Sequence, residues 1–213
     1  QRFVQGFEPV RRSLPEGRPP RLRERGVVLI TGGLGGVTFV LAAYLAHVSK
    51  AKLVLTGRAR LPERSEWEAW LAARGPLDPI SQRIKRVQTL EAMGAEVLVV
   101  SADVGDHAQM EEAFRQAEER FGAVHGVIHG AGIVGGNTFR PLQEIGAGEC
   151  EQQFHPKVAG LITLDRVLAG RRPDFCMLTS SLSSVLGGFA YGAYAAANSF
   201  MDAYAAARNR TAE

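Results

Sequence analysis

The sequence predicts an α/β fold, a doubly wound parallel sheet with helices on both faces. Three observations lead there. Short, continuous apolar runs rich in β-branched residues recur along the chain, as strands buried on both faces require. Segments of helical composition separate them, so strand and helix alternate. A glycine-rich turn follows the first apolar run and opens a helix, the arrangement of a nucleotide-binding βα unit.

The elements follow in order. Val27-Val28-Leu29-Ile30-Thr31 is the first strand, the glycine turn runs through residues 32–36, and a helix covers 39–48. Residues 52–56 are a second strand, which parallel pairing with the first makes a βαβ unit. Residues 62–93 hold one or two helices, broken at Gly75-Pro76 and Asp78-Pro79. A bare crossover needs far less chain, so this connection is elaborated. A third strand at 96–101 precedes a helix at 106–121, whose Met110, Ala113, Phe114 and Ala117 share one face. A fourth strand covers 124–129, a helix 158–168, a fifth strand 175–179 and an Ala-rich helix 191–208. Residues 209–213 are expected to fray.

Composition narrows the class. The 213 residues are 46% hydrophobic and 22% charged, with a net charge of +3, as expected of one soluble globular domain. The basic excess gathers in a leader broken by Pro and Gly, at Arg2, Arg11, Arg12, Arg18, Arg21, Arg23 and Arg25. That stretch reads as a solvated linker and not as a nucleic-acid-binding face. No apolar stretch is long enough to span a bilayer and no signal peptide is evident, so a cytoplasmic protein is expected. The two cysteines, Cys150 and Cys176, have no metal-site spacing, and Cys176 sits in an apolar run that predicts a buried core position.

The glycine turn indicates a dinucleotide. Backbone there can approach a pyrophosphate, and the helix N-terminus offers N–H donors and partial positive charge. Thr31, Gly32, Leu34, Gly35, Gly36 and Val37 are the candidate contacts. The second strand ends in Thr56-Gly57-Arg58, with no acidic residue for a ribose diol. An arginine there can bind a 2′-phosphate that a carboxylate would repel, so NADPH is expected over NADH. Asp103 and Val104 after the third strand, and Ala131 and Gly132 after the fourth, are placed to line adenine and ribose. His129 itself reads as a satisfied core histidine.

The fifth strand ends in Thr179-Ser180-Ser181, and Tyr194 follows thirteen residues after Ser181. Asn198 lies one helical turn past Tyr194, on the same face. Lys157 lies upstream, before the preceding predicted helix. Hydride reduction of a carbonyl needs a proton donor for the developing alkoxide and a hydrogen bond to hold the oxygen. A phenol is a weak acid, ionising near pH ~10, and an ammonium beside it favours its phenolate. Ser181 can hold the carbonyl oxygen, Tyr194 can donate the proton, and Lys157 can tune Tyr194 and bind the cofactor ribose.

Together these motifs resemble the short-chain dehydrogenase/reductases, whose fold is a Rossmann-like doubly wound sheet. The ordinary members carry lysine four residues after the tyrosine. Here Asn198 takes that place and Lys157 comes from upstream, with Pro156 and Val158 beside it. That arrangement resembles the ketoreductase domains of modular polyketide synthases over residues 26–208. The resemblance implies NADPH-dependent reduction of a β-ketoacyl group on an acyl carrier protein to a β-hydroxyacyl group. It also implies neighbouring synthase domains, including a structural half-domain. Residues 1–26 are then the connector from that half-domain and 27–213 the NADPH-binding catalytic part.

The chain departs from the family pattern at two places. Thr38 stands where the last loop glycine is usual, which predicts NADPH binding weaker than that of Thr38→Gly. Of the two family classes, one carries Leu-Asp-Asp after the fourth strand, where this chain has Val134-Gly135-Gly136. The other carries a Trp eight residues before the tyrosine, where this chain has Leu186. The absent Asp pair points to the Trp-marked class, and the hydroxyl configuration stays open. Two further readings stay open with it: a silent structural or carrier-docking domain of the same fold, and a free-standing ketone or fatty acyl reductase.

Overall fold

Five parallel strands form one sheet in the order β3-β2-β1-β4-β5. They are β1 (Val27–Thr31), β2 (Lys52–Gly57), β3 (Glu96–Ser101), β4 (Gly126–His129) and β5 (Phe175–Leu178). This computed structural model describes residues 6, 8–10, 19–133 and 140–211, and the statements below concern those residues. Every residue of β1 and β4 is buried, which is why both read as unbroken apolar runs. The chain builds outward from β1 to β3, then crosses back to β4. Thr31 is therefore in register with Thr56 on one side and His129 on the other. A crevice opens at such a reversal, outside the carboxyl ends of the strands.

Helices cover both faces, each with its own apolar core. On one face α1 (Gly36–Ser49), α2 (Trp67–Arg74) and α3 (Pro79–Ala92) pack on the sheet, with Ile84, Val87 and Leu90 of α3 fully buried. On the other lie α4 (His107–Phe121) and α6 (Gly160–Val167), and the predicted stripe Met110, Ala113, Phe114 and Ala117 is fully buried. Burying a side chain the size of Phe114 or Met110 stabilises by about 2–3 kcal/mol. The long β2–β3 connection is the predicted helix pair. Asp78 caps α3 by accepting the Ser81 N–H at 2.7 Å, and Trp70 of α2 donates to the same carboxylate at 3.0 Å.

Three expectations need correction. Cys176 is exposed, because β5 is an edge strand and its central residues are not covered. The end of the basic leader is anchored. Arg23 forms a two-pronged pair with Asp174 at 2.5 and 2.6 Å, and Arg25 reaches Glu96 at 2.7 Å, tying the chain to the amino-terminal edge of the sheet. The helix expected at 158–168 is longer. It starts as α5 (Ala147–Phe154), widens into a π-turn at His155–Ala159 and continues as α6. Pro156 has no N–H to give the preceding turn, and Gly160 instead bonds the His155 carbonyl five residues back. A short α7 (Ser183–Leu186) then leads into α8 (Gly192–Thr211), which holds its helix through residue 211, past the predicted fraying point.

His129 is buried, as expected of a core histidine, but only half satisfied. Its Nδ1 lies 2.8 Å from the Thr31 hydroxyl, and its Nε2 has no partner among the described residues. The Thr31 oxygen already accepts the Gly130 and Ala131 N–H groups, each at 3.2 Å. Its proton must then point at Nδ1, which assigns the neutral tautomer with hydrogen on Nε2. Burial, followed by the positive charge of Lys157, pushes the imidazole pKa down to about 4 from 6.5. Between these values the unfolded chain binds a proton that the folded one refuses, so stability falls as pH drops. Urea unfolding should show a loss of about 3 kcal/mol from pH 7 to pH 4 through this group. His129→Gln should be less stable at pH 7 yet show a flatter slope, and an unchanged slope would contradict the assignment.

Candidate active site at the strand ends

The glycine turn sits at the carboxyl end of β1. Gly32 has φ of +64°, and its missing side chain leaves room for the Ala131 backbone, which a Cβ would approach to 2.9 Å. Gly33 lies against Leu55 and Ile30, where a Cβ would sit 2.8 Å from the Leu55 side chain. The loop thus lies flat on the strand ends, with a cavity of about 750 Å³ alongside. Gly32, Leu34, Gly35, Thr56, Arg58, Asp103, Val104, Ala131 and Gly132 all line it, so nine of the residues singled out in the sequence meet at one place.

The other loop candidates stand differently. Thr31 is fully buried, with its hydroxyl committed to His129 and to the turn after β4. It supports the cavity wall from behind. Gly36 and Val37 open α1 and are exposed outside the cavity lining. Thr38 is buried and turned away from the cavity. Its hydroxyl donates to the Gly32 carbonyl at 2.5 Å, and its methyl fills the space beside Gly130. The bulk expected to press on the cofactor presses on β4 instead.

Asp103 is gripped from within the protein. Its Oδ1 accepts the Gly105 N–H at 2.9 Å and lies 2.8 Å from His155 Nε2. Burial alone would raise its pKa, but these two hydrogen bonds and the nearby charges of His155 and Arg58 outweigh it and hold the carboxyl below its ordinary range. Oδ1 is thereby filled and Oδ2 is left to meet a donor from the cavity. His155 also lines the cavity, as does Arg83 of α3. Sequence reading passed over both. The signal for His155 was its place beside Pro156-Lys157. For Arg83 it was the arginine pair at positions 83 and 86, one turn apart on α3.

Lys157, Ser181, Tyr194 and Asn198 come together next to this cavity. The π-turn swings Lys157 inward until it is only 4% exposed. Its Nζ donates to the Thr179 carbonyl at 3.1 Å and stands 5.7 Å from the centre of the Tyr194 ring. Burial lowers the pKa of this ammonium, against a partial opposing pull from Asp202. Its stem passes Gly132, where a Cβ would lie 3.3 Å from Lys157 Cε, so the cluster adjoins the cavity wall. Tyr194 occupies the first turn of α8, and Asn198 below it donates Nδ2 to the Tyr194 carbonyl at 2.8 Å. Asn198 Oδ1 is buried and has no partner among the described residues. Ser181 Oγ accepts both the Ser183 N–H at 3.2 Å and the Ser183 hydroxyl at 3.1 Å. Its own proton is left to donate outward.

A glycine-lined strand-end cavity beside a Lys–Tyr–Ser cluster matches a known family. The KR domain model covers residues 26–213. The chain belongs to the KR-domain family. The KR domain is 39% identical over 190 residues to polyketide synthase PksL of Bacillus subtilis, across 85% of this chain and 4% of that protein. It is 36% identical over 207 residues to a phenolphthiocerol/phthiocerol polyketide synthase of Mycobacterium tuberculosis, across 95% of this chain and 10% of that one. The chain thus spans a small part of these relatives. Among solved structures, a ketoreductase domain from the bacillaene assembly line superposes with a TM-score of 0.76 and 32% identity, covering 94% of this chain and 43% of that one. A ketoreductase from the macrolactin assembly line gives 0.77 and 29%, covering 95% and 36%. These likenesses place the KR domain among polyketide synthase ketoreductase domains, within the short-chain dehydrogenase/reductases. Of its two class markers, residues 134–136 lie outside the described residues, and Leu186 is exposed at the end of α7. Among the described residues no helix is long and apolar enough to cross a membrane, and no group of three or more His, Cys, Asp or Glu could hold a metal ion.

Thr38 and Gly130 are matched in size. A Cβ on Gly130 would lie 2.1 Å from the Thr38 methyl. Gly130→Ala should therefore destabilise the KR domain by about 1–3 kcal/mol through overpacking. Thr38→Ser keeps the hydroxyl bond and removes the methyl. The double variant Thr38→Ser/Gly130→Ala should recover most of the loss in thermal or urea unfolding, and purely additive losses would refute the coupling.

Proposed function

We propose that this KR domain reduces a β-ketoacyl group, carried as a thioester on an acyl carrier protein, to a β-hydroxyacyl group, with NADPH as cofactor. The observation that carries this reading is the Lys157 ammonium, held by Thr179 two residues before Ser181 and set 5.7 Å from the Tyr194 ring. Buried ammonium, phenol and a serine with an uncommitted proton are the parts a carbonyl reduction requires.

The cavity fits a nicotinamide dinucleotide. Its glycine turn lets backbone approach a pyrophosphate at the start of α1, and its volume of about 750 Å³ is of ligand size. Asp103 offers its spare oxygen to an adenine amino group, and Arg58 offers a guanidinium where the second ribose edge would lie. The absence of a carboxylate at the end of β2 supports the phosphorylated cofactor. When bound, NADPH supplies the hydride. The protein's part is to hold and protonate the oxygen. Ser181 donates a hydrogen bond to the substrate carbonyl, and Tyr194 delivers its proton as the alkoxide develops. Lys157 stabilises the charge left on the phenol oxygen and reaches the ribose hydroxyls past Gly132. Asn198 fixes the first turn of α8 and so the position of Tyr194.

The length of the curated relatives supports a place inside a multidomain synthase, next to a structural ketoreductase half-domain, with residues 1–26 as connector. The Arg23–Asp174 and Arg25–Glu96 pairs would then set the direction in which the connector leaves the sheet.

NADPH oxidation measured with a β-ketoacyl thioester tests the reading in a chain that includes the neighbouring half-domain. Tyr194→Phe should lose roughly 10²–10⁴-fold in kcat while NADPH still binds. Lys157→Met should fall within the same range. Turnover by Tyr194→Phe at the native rate, or none by the native chain, would overturn the proposal.

A further inference from the structure

Arg83 lines the cavity together with Gly57, Arg58 and Ala59, away from the Lys157–Tyr194 cluster. It comes from α3, in the connection that a bare β2–β3 crossover does not need. The placement of α3 is tightly fixed. Asp78 caps its start, Ile84, Val87 and Leu90 bury its inner face, and Arg86 donates to the Leu34 carbonyl in the glycine turn. The Arg86 guanidinium also lies 5.5 Å from the centre of the Phe39 ring on α1. Arg83 and Arg86 are one turn apart and so share a face of α3. One is tied to the turn that would receive the pyrophosphate, and the other borders the cavity beside the end of β2.

Arg86 and Arg64 have defined partners in the same region, but Arg83 has none. Among the described residues no carboxylate or carbonyl pairs with its guanidinium. The carboxylate on this part of the wall, Asp103, has Oδ1 filled by Gly105 and His155. A half-buried guanidinium facing a second arginine across a cavity calls for an anion between them. The end of β2 is where the 2′ position of a bound adenosine lies in this fold.

We propose that Arg83 and Arg58 form a two-armed clamp for the ribose 2′-phosphate, and that Arg83 is a determinant of NADPH over NADH. This rests on the reading of the cavity as a nicotinamide dinucleotide site. A phosphate monoester carries close to two negative charges and three acceptor oxygens, enough for both guanidinium forks. The elaborated β2–β3 connection then has a function, because it carries one arm of the clamp on a helix locked to the cofactor turn.

Calorimetric titration of this chain with NADPH, NADH, 2′,5′-ADP and 5′-AMP tests the clamp without turnover. The native chain should prefer NADPH to NADH and 2′,5′-ADP to 5′-AMP. Arg83→Ala should weaken NADPH and 2′,5′-ADP by roughly 10- to 100-fold and leave NADH and 5′-AMP within about twofold. Arg83→Lys should recover part of the loss, and circular dichroism melting confirms that each variant is folded. If the native chain prefers NADPH and Arg83→Ala keeps that preference, the clamp is wrong and Arg58 alone reads the phosphate. If Arg83→Ala weakens all four ligands alike, Arg83 only supports the fold, and the clamp is again wrong. Equal native affinity for NADPH and NADH would remove the NADPH reading and the clamp together.

Discussion

A buried hydrogen bond between the last residues of β1 and β4 ties the parts of the site together. Thr31 and His129 face each other at 2.8 Å where the strand order reverses. The Thr31 hydroxyl also receives two N–H groups from the turn after β4, which forms one wall of the cavity. The His129 carbonyl accepts the Thr179 N–H at 2.9 Å and its hydroxyl at 3.1 Å. The Thr179 carbonyl in turn holds Lys157. One unbroken series of bonds thus runs from the glycine turn to the ammonium beside Tyr194. It is buried at its start, where each bond is strongest and each lost partner costs most. The cavity and the Tyr194 cluster are positioned by the same few groups and cannot shift independently.

The two ends of the site have different electrostatic tasks, and the fold separates them. Around Arg58 and Arg83 the wall is cationic, and the one carboxylate of the cavity wall near them, Asp103, is held by His155 and a backbone N–H. Around Tyr194 the positive charge is a single buried lysine, close enough to a phenol to act on it and too deep to be neutralised by bulk ions. Between these ends the lining is backbone and small side chains, at Gly32, Gly35, Ala131 and Gly132. Bulk there would close the path that a long ligand must follow.

The sheet and most of the cavity were legible in the sequence because they depend on local pattern. The unbroken apolar runs at β1 and β4 announce strands buried on both faces, and topology then assigns whatever follows them to the crevice. What escaped depends on distant parts of the chain. Cys176 belongs to an apolar run like the others, but exposure is decided by whether a neighbouring strand or helix covers β5, and no local pattern records that. Arg23 and Arg25 look like any solvated arginines until the fold brings Asp174 and Glu96 to them. His155 and Arg83 reach the cavity from helices whose inward faces are set by packing. Thr38 was legible as a departure, but its consequence depended on Gly130, ninety-two residues away.

Moving the ammonium from α8 to Lys157 places a geometric demand on the helix that supplies it. A lysine one turn beyond Tyr194 would lie on the same face of α8 by simple helical spacing. Lys157 approaches from the opposite side, out of a helix that must also bury Leu161 and Leu164 against the sheet. A regular α-helix fixes the angle between those positions and allows no independent choice for Lys157. The π-turn adds a residue and breaks that dependence, and Pro156 favours it by withholding the N–H that an α-turn would use. Asn198 then fills the vacated position without a second buried charge, and its amide bonds the Tyr194 carbonyl. The proline, the widened turn and the asparagine are thus parts of one solution. Each is neutral or costly alone, and together they set one buried lysine beside one tyrosine.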